Sequence, residues 1–305
     1  MRTAFIQELI VQARIHPEIF LVVGDLGYSV VEPFAKEFPD RYLNAGVAEQ
    51  NMTGVAAGLA SEGYHVFTYS IANFPTLRCL EQFRNDVCYH NHAVTAVAVG
   101  GGLAYGSLGY SHHALQDLAI MRTMPNMTVL APGDPGETQQ CLQWLVGHPG
   151  PSYLRLGKAG EKSLHSVKGV GEGPIYVRKG EGVCALISTG GILDLAIETA
   201  QELEAAGVRA AVYSNPWLSP IGAGWFDQLK GYALLATIEE HVYEGGLGVI
   251  LGSSQAGRNK ILSFAVGQDL NGRVGSQAFL RQEAGLKADR IAGLILARLR
   301  QQGCL

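Results

Sequence analysis

The chain has 305 residues, of which 47% are hydrophobic and only 16% charged, with a formal net charge of −4. This composition excludes a disordered or solvating chain, and the absence of any Lys/Arg run argues against a nucleic-acid footprint or an anionic membrane surface. The length exceeds what one hydrophobic core usually fills, so about two domains are expected.

The opening MRTAFIQELIVQARIHPEIF patterns as an amphipathic helix over about 2 to 14, with Glu8 inside it and no apolar block of a signal peptide. No run reaches membrane length, and the cytoplasm is the default expectation. IFLVVGDLG (19–27) reads as a buried strand with a polar C-terminal edge, and RYLNAGVAEQ (41–50) as a short strand and turn before an Ala/Gly-rich helix. HVFTYS, AVTAVAVG and MTVLAP supply further strands, with TLRCLEQFRNDVCY (76–89) and PGETQQCLQWLVG (135–147) as helices between them. The alternation predicts an α/β fold, a mostly parallel sheet with helices on both faces.

From 158 to 182 the composition shifts to Lys, Gly and Ser with weak periodicity, which marks a connection. A second α/β unit follows, in VCALISTGG, DLAIETAQELEAAG, VRAAVYS, YALLATIEEH and RIAGLILARLRQQ. The expected division is 1–163, a linker over 164–182, and 183–305. Cys79, Cys88, Cys141, Cys184 and Cys304 are odd in number and lack paired metal spacing, so they read as buried thiols in a reducing compartment, with no metal site expected on this chain.

One segment stands apart. In NAGVAEQNMTGVAAGLA (44–60) the single charge is Glu49. A glutamate at a helix start is ordinarily a dipole-favoured surface charge. Gly54 and Gly58, four apart, would however let a partner backbone approach closely, so a carboxylate here would be desolvated and in need of a hydrogen-bond partner.

AGVAEQNMTGVAAGLASEG (45–63) resembles the pyrimidine-binding domain of transketolases and their relatives. The resemblance continues through DLGYS (25–29), GSLGYSHHALQDLAIMRTMPNMTVLAPGDPGET (106–138) and EEHVYEGGLG (239–248), covering almost the whole chain in family order. Deoxyxylulose-phosphate synthases and the β subunits of 2-oxo acid dehydrogenases share this two-domain half and are more weakly similar. The resemblance implies thiamine diphosphate as cofactor. It makes Glu49 the catalytic carboxylate that shares a proton with the pyrimidine ring nitrogen, a task a solvated, charged glutamate would do poorly. The helix around it becomes a dry seat for the ring and a dimer contact. Phe74 is the first candidate to stack on the ring and Tyr69 the second, with Asp25 and Leu26 as further cofactor contacts.

The family's other half holds the diphosphate through a divalent cation, using Gly-Asp-Gly and a later Asn. Here GDL (24–26) and GDP (133–135) match the pyrimidine half instead, and no Gly-Asp-Gly occurs. The resemblance therefore implies a separate N-terminal subunit that carries the Mg²⁺ and diphosphate motif, with the cofactor across the interface of a dimer of heterodimers.

The glycine-rich VGGGLAYGSLG (99–109) lacks the order and the acidic residue of a dinucleotide loop, and the resemblance suggests a substrate-channel loop. His112 falls on the family's substrate-hydroxyl histidine, and His113 replaces the Gln that follows it. The family's Asp four residues earlier is Leu108, and its His twelve residues earlier is Gly100. Each change removes a polar partner worth about 1 to 3 kcal/mol to a buried hydroxyl, which favours a less phosphorylated or otherwise modified sugar. Against this, Arg2 and Ser29 match sugar-phosphate contacts, and Arg155 and Lys158 lie near another. Glu239, Glu240 and His241, at the end of a strand, are expected to fit a loop near the interface without a catalytic role.

The leading expectation is the C-terminal subunit of a two-chain transketolase, moving a two-carbon ketol unit from a ketose to an aldose without CO₂ release. The alternatives are a decarboxylating thiamine diphosphate enzyme subunit, similar to deoxyxylulose-phosphate synthase or a 2-oxo acid dehydrogenase β chain, and a non-catalytic binding partner.

Overall fold

The computed structural model describes residues 1–258, 260–270 and 272–305. The first half runs α1 (Arg2–Ile15), β1 (Ile19–Val23), α2 (Glu32–Glu37), β2 (Tyr42–Asn44), α3 (Glu49–Ser61), β3 (His65–Ile71), α4 (Asn73–Leu77), α5 (Leu80–Gln82), β4 (Val94–Val99), α6 (Asp117–Arg122), β5 (Thr128–Leu130), α7 (Pro135–Gly147) and β6 (Ser152–Leu156). The second runs β7 (Ile175–Arg178), β8 (Cys184–Thr189), α8 (Leu193–Ala205), β9 (Ala211–Ser214), β10 (Trp217–Ser219), β11 (Leu234–Val242), α9 (Leu247–Gly252), β12 (Ile261–Val266), α10 (Gln277–Glu283) and α11 (Ala288–Gln301).

Two mostly parallel sheets result. The first has order β10-β5-β6-β4-β3-β1-β2 and the second β12-β11-β8-β9-β7, with only β10 and β7 antiparallel to their neighbours. In the first sheet the alternation of side chains sends Phe67 and Tyr69 toward α1 and α7, where they join Phe5, Leu9, Leu142 and Leu145. The opposite face carries Val22, Ala96 and Ala98 against Met52 and Ala56 of α3. Strands β2 and β3 lie on opposite sides of β1, so the chain reverses direction across the sheet there. In open parallel sheets the crevice beyond the strand C-termini at such a reversal is where ligands sit. Gly24, Glu49, Asn73, Gly100 and Gly157 all follow strands at this edge.

Two local expectations are corrected. Residues 76–89 do not form one helix. The chain breaks at Cys79 (φ −111°, ψ 14°), and Phe83–Cys88 then forms a π-helical turn, whose wider spacing lets Phe83, Val87 and Cys88 all reach the core. The stretch 164–182 is not wholly a connection either, because Ile175–Arg178 pairs antiparallel with β9 as an edge strand. Four residues among glycines are too few to show strand periodicity. The halves also interlock, since β10 crosses back to pair with β5 of the first sheet. Among the described residues no helix is long and apolar enough to cross a membrane.

Candidate active site

Glu49 is the first residue of α3 and is 4% exposed. It lies beside the β1 turn, where a Cβ on Gly24 would meet Ser70 Oγ, Met52 Sδ and Glu49 Cγ at 3.5 to 3.8 Å. These are ordinary contact distances, so the first turn of α3 packs against the sheet edge at normal separation. What desolvates the carboxylate is therefore β1 and β3 of this chain. Among the described residues nothing supplies the expected close partner at Gly54 and Gly58: both glycines have open space where a Cβ would stand.

The carboxylate has a partner that the sequence pattern did not announce. Arg78 Nη1 donates to Glu49 Oε1 at 3.2 Å and Oε2 at 3.1 Å. The same guanidinium lies over the Phe74 ring, 4.0 Å from its centroid, and Phe74 meets His112 edge-on at 5.3 Å between centroids. His112 Nδ1 is 3.0 Å from Ser111 Oγ. Burial, then the charges of Arg78 and His113, hold the His112 imidazole below its ordinary pKa. Asn73 anchors this arrangement by donating to the Ser111 and His113 carbonyls at 3.2 and 2.5 Å. Glu49, Phe74 and His112 are thus joined, through Arg78, in one chain of contacts. An aromatic face beside a buried carboxylate is a donor set suited to a flat, nitrogen-bearing ring.

Tyr69 is not a stacking candidate. It is fully buried, it points to the opposite face of β3 and stacks on Phe5 at 6.0 Å, and burial pushes its hydroxyl pKa well up. His113 likewise turns inward, 2% exposed with Nε2 3.5 Å from the Gly106 carbonyl, so a direct substrate contact is corrected to a packing role. Asp25 is exposed in the left-handed region (φ 52°); its amide donates to Asn44 Oδ1 and its carboxylate accepts from Asn44 Nδ2, while Leu26 packs partly against the core beneath α1.

The glycine run exists for close approach. A Cβ on Gly100, Gly101 or Gly102 would collide with Tyr105, Arg155 or Glu240 respectively. Tyr105, which the sequence pattern did not single out, lays its ring across Gly100 near Arg2. Its signal was the glycine run itself, whose missing side chains leave room for a nearby ring. Leu108 stays 55% exposed. Ser29 is exposed with its amide donating to Glu32 Oε1 at 2.7 Å.

Arg155 borders the cavity that Lys158 also lines, but its guanidinium is held by groups of this chain. Its Nε is 3.0 Å from Asp117 Oδ2, its Nη2 donates to the Ala114 and Glu240 carbonyls, and its side chain is 4% exposed. Buried cations need such partners, and these tie the channel loop to the second sheet. Lys158 is exposed on the rim of a cavity of about 220 Å³ between the halves, with Thr189, Asp194 and Arg281. Glu239 and Glu240 prove to be structural anchors. Glu239 accepts from the Leu247 and Gly248 amides at 2.7 and 3.1 Å, and Glu240 pairs with Arg281. Asp134, Glu137 and His165 gather at the start of α7, where the carboxylates cap backbone amides of Gly133, Glu137 and Leu164.

Residues 1–160 match the family described as "Transketolase, pyrimidine binding domain", and residues 173–291 match "Transketolase, C-terminal domain". The chain belongs to the transketolase family, whose cofactor is thiamine diphosphate. Within it, the chain is similar along nearly its full length to subunits of split enzymes. A Methanocaldococcus jannaschii protein named "Putative transketolase C-terminal section" is 33% identical over 99% of this chain and 97% of its own. An apulose-4-phosphate transketolase subunit of Actinobacillus succinogenes is 30% identical over 91% of both. A solved structure of a "Split gene transketolase, inactive beta4 tetramer" superposes with a TM-score of 0.85 at 30% identity, covering 98% of this chain and 97% of that one.

Proposed function

We propose that this chain is the C-terminal, pyrimidine-binding subunit of a two-chain transketolase, transferring a two-carbon ketol unit from a ketose donor to an aldose acceptor. The observation that carries the reading is the carboxyl edge of the first sheet, where Arg78 links buried Glu49 to the Phe74 ring and that ring meets His112, within a chain whose 305 residues contain no Gly-Asp-Gly. The similarity to whole subunits of split transketolases supports it.

Bound thiamine diphosphate would supply the carbanion chemistry that makes and breaks the bond between the ketol carbons and the sugar. Phe74 offers the apolar wall for its aminopyrimidine, and Glu49 holds a proton at the ring nitrogen from a site dry enough for the carboxyl to share it. His112, kept neutral at pH 7, can accept from or donate to a sugar hydroxyl. Arg2, Ser29 and Lys158 are the groups left at the edge to meet a phosphate, and Tyr105 is the polar group that replaces the missing histidine beside Arg2. The Mg²⁺ and diphosphate contacts are assigned to an N-terminal partner subunit, in a cytoplasmic dimer of heterodimers acting in carbohydrate metabolism.

The test begins with calorimetric titration of thiamine diphosphate and Mg²⁺ into this chain alone, for which no tight binding is expected. Mixing with a partner chain that carries Gly-Asp-Gly should create Mg²⁺-dependent binding and ketol transfer without CO₂, both lost in Glu49→Ala. Tight Mg²⁺-dependent binding by this chain alone would overturn the two-chain assignment, and CO₂ release from a 2-oxo acid would replace transketolase with a decarboxylating enzyme.

A further inference from the structure

Arg78 occupies the place that the pyrimidine requires. Its guanidinium is a flat cation lying 4.0 Å over the Phe74 ring while Nη1 donates to both oxygens of Glu49. Those are the two interactions, an aromatic face and a donor to the buried carboxylate, that the proposed function assigns to the ring of the cofactor. A guanidinium and an aminopyrimidine cannot both hold them. Among the described residues Glu49 is the only hydrogen-bond partner of that guanidinium, and the Arg78 side chain is half exposed, with a route to solvent that the carboxylate at 5% exposure lacks. The backbone beneath it is held in place, because Gln50 Nε2 donates to the Arg78 carbonyl at 2.9 Å. Only the side chain need swing.

We infer that Arg78 is a built-in placeholder: in the free chain it fills the pyrimidine seat and neutralises Glu49, and it must leave before the cofactor ring can enter. The inference rests on the assignment of Glu49 and Phe74 as the pyrimidine seat. Its consequence is a seat closed by default. A carboxylate buried without a partner would be costly, so the free subunit gains by supplying its own cation. Cofactor affinity is then lowered by the fraction of time the seat is closed, and release of Arg78 couples ring entry to any event that draws the side chain outward, docking of a partner chain included.

The experiment uses 4-amino-5-hydroxymethyl-2-methylpyrimidine, which has the ring but needs no diphosphate site, titrated calorimetrically into the intact chain. Arg78→Ala should bind it at least about tenfold more tightly than wild type. Arg78→Lys, which keeps the charge without the flat stacking surface, should fall between, and Glu49→Ala in the Arg78→Ala background should remove the gain. Thermal melts of each variant establish that it is folded. Equal or weaker binding by Arg78→Ala, with both proteins still dependent on Glu49, overturns the placeholder while leaving the seat intact. Absence of binding to every folded variant, or binding indifferent to Glu49, overturns the seat itself and the placeholder with it.

Discussion

The ring of Tyr105 covers Gly100, and a side chain at position 100 meets that ring. Gly100 holds φ +80°, and a Cβ there would run into Cδ2 and Cε2 of the tyrosine. Where transketolases resembled by this sequence carry a histidine, this chain has placed a phenol from five residues downstream, next to Arg2. On the proposed reading, the phenol puts a polar group back near that position. This moderates the expectation that the channel had become apolar.

Gly100→Ala should therefore destabilise by about 1 to 3 kcal/mol from the left-handed backbone alone, with a further cost from the ring. Adding Tyr105→Ala should recover the second part and not the first, a non-additivity read from urea denaturation of the two single variants and the double. Tyr105→Phe should leave stability nearly unchanged while raising KM for a phosphorylated donor in the assembled enzyme, with kcat little affected. An unchanged KM would remove Tyr105 from the phosphate end of the channel.

The Asp117–Arg155 pair sets the rigidity of the same loop. Asp117 accepts from Tyr153 Oη at 2.6 Å and faces Arg155 Nε at 3.0 Å, with both ion-pair side chains almost fully buried. Asp117→Ala strands a buried guanidinium edge and a buried hydroxyl, so a loss of about 3 to 5 kcal/mol is expected in urea melts. Glu181→Ala, which breaks an ion pair with Arg209 whose side chains are 64% and 62% exposed, should change nothing measurable.

The layer order, the two α/β units and the site residues Glu49, Phe74 and His112 were legible because strand runs, helix periods and a motif in family order each constrain them. What escaped notice depends on contacts distant in sequence. Tyr69 and Phe74 are equally aromatic in one stretch, and only strand alternation, known once β3 is placed, sends Tyr69 to the α1 face. Arg78 is one arginine in a segment that reads as a helix; the break at Cys79 and the packing of α4 against α3 bring it to Glu49. Arg155 reads as surface charge until Asp117 and the Ala114 and Glu240 carbonyls, all remote in sequence, are seen to surround it. Lone charges and aromatics carry no direction in a sequence, whereas repeated apolar spacing does.

Glu239 predicts a pH dependence. Burial, partly opposed by its bonds to the Leu247 and Gly248 amides, raises its pKa from 4.5 to about 7. Because the folded state holds this proton more tightly than the unfolded chain, its contribution is full below about pH 4.5 and is lost as pH rises through 7. The span corresponds to about 3 kcal/mol. Glu239→Gln should flatten that part of the profile, so the difference in unfolding free energy between wild type and variant should shift in favour of the variant between about pH 5 and pH 8. A difference independent of pH would mean that the carboxyl titrates normally.

The exposed stripe of α3 gives a prediction in which two measurements move in opposite directions. Asn51, Gly54 and Gly58 lie on its open face, Val47 just before it is 73% exposed, and Leu77 of the adjoining α4 is 50% exposed. Glycine is a poor helix residue, so on a face that met only water Gly54→Gln and Gly58→Gln should each stabilise the free chain by about 0.5 kcal/mol. On a face that docks another backbone the same side chains should block approach and weaken association by at least about tenfold. Both results are expected together: a higher melting temperature at concentrations where the chain is alone, and loss of the assembled species in sedimentation with the partner subunit. If the variants melt higher and still assemble, the seam lies elsewhere and the glycines serve no interface. The pairing of opposite signs also separates docking from folding, because a variant that had merely misfolded would lose both.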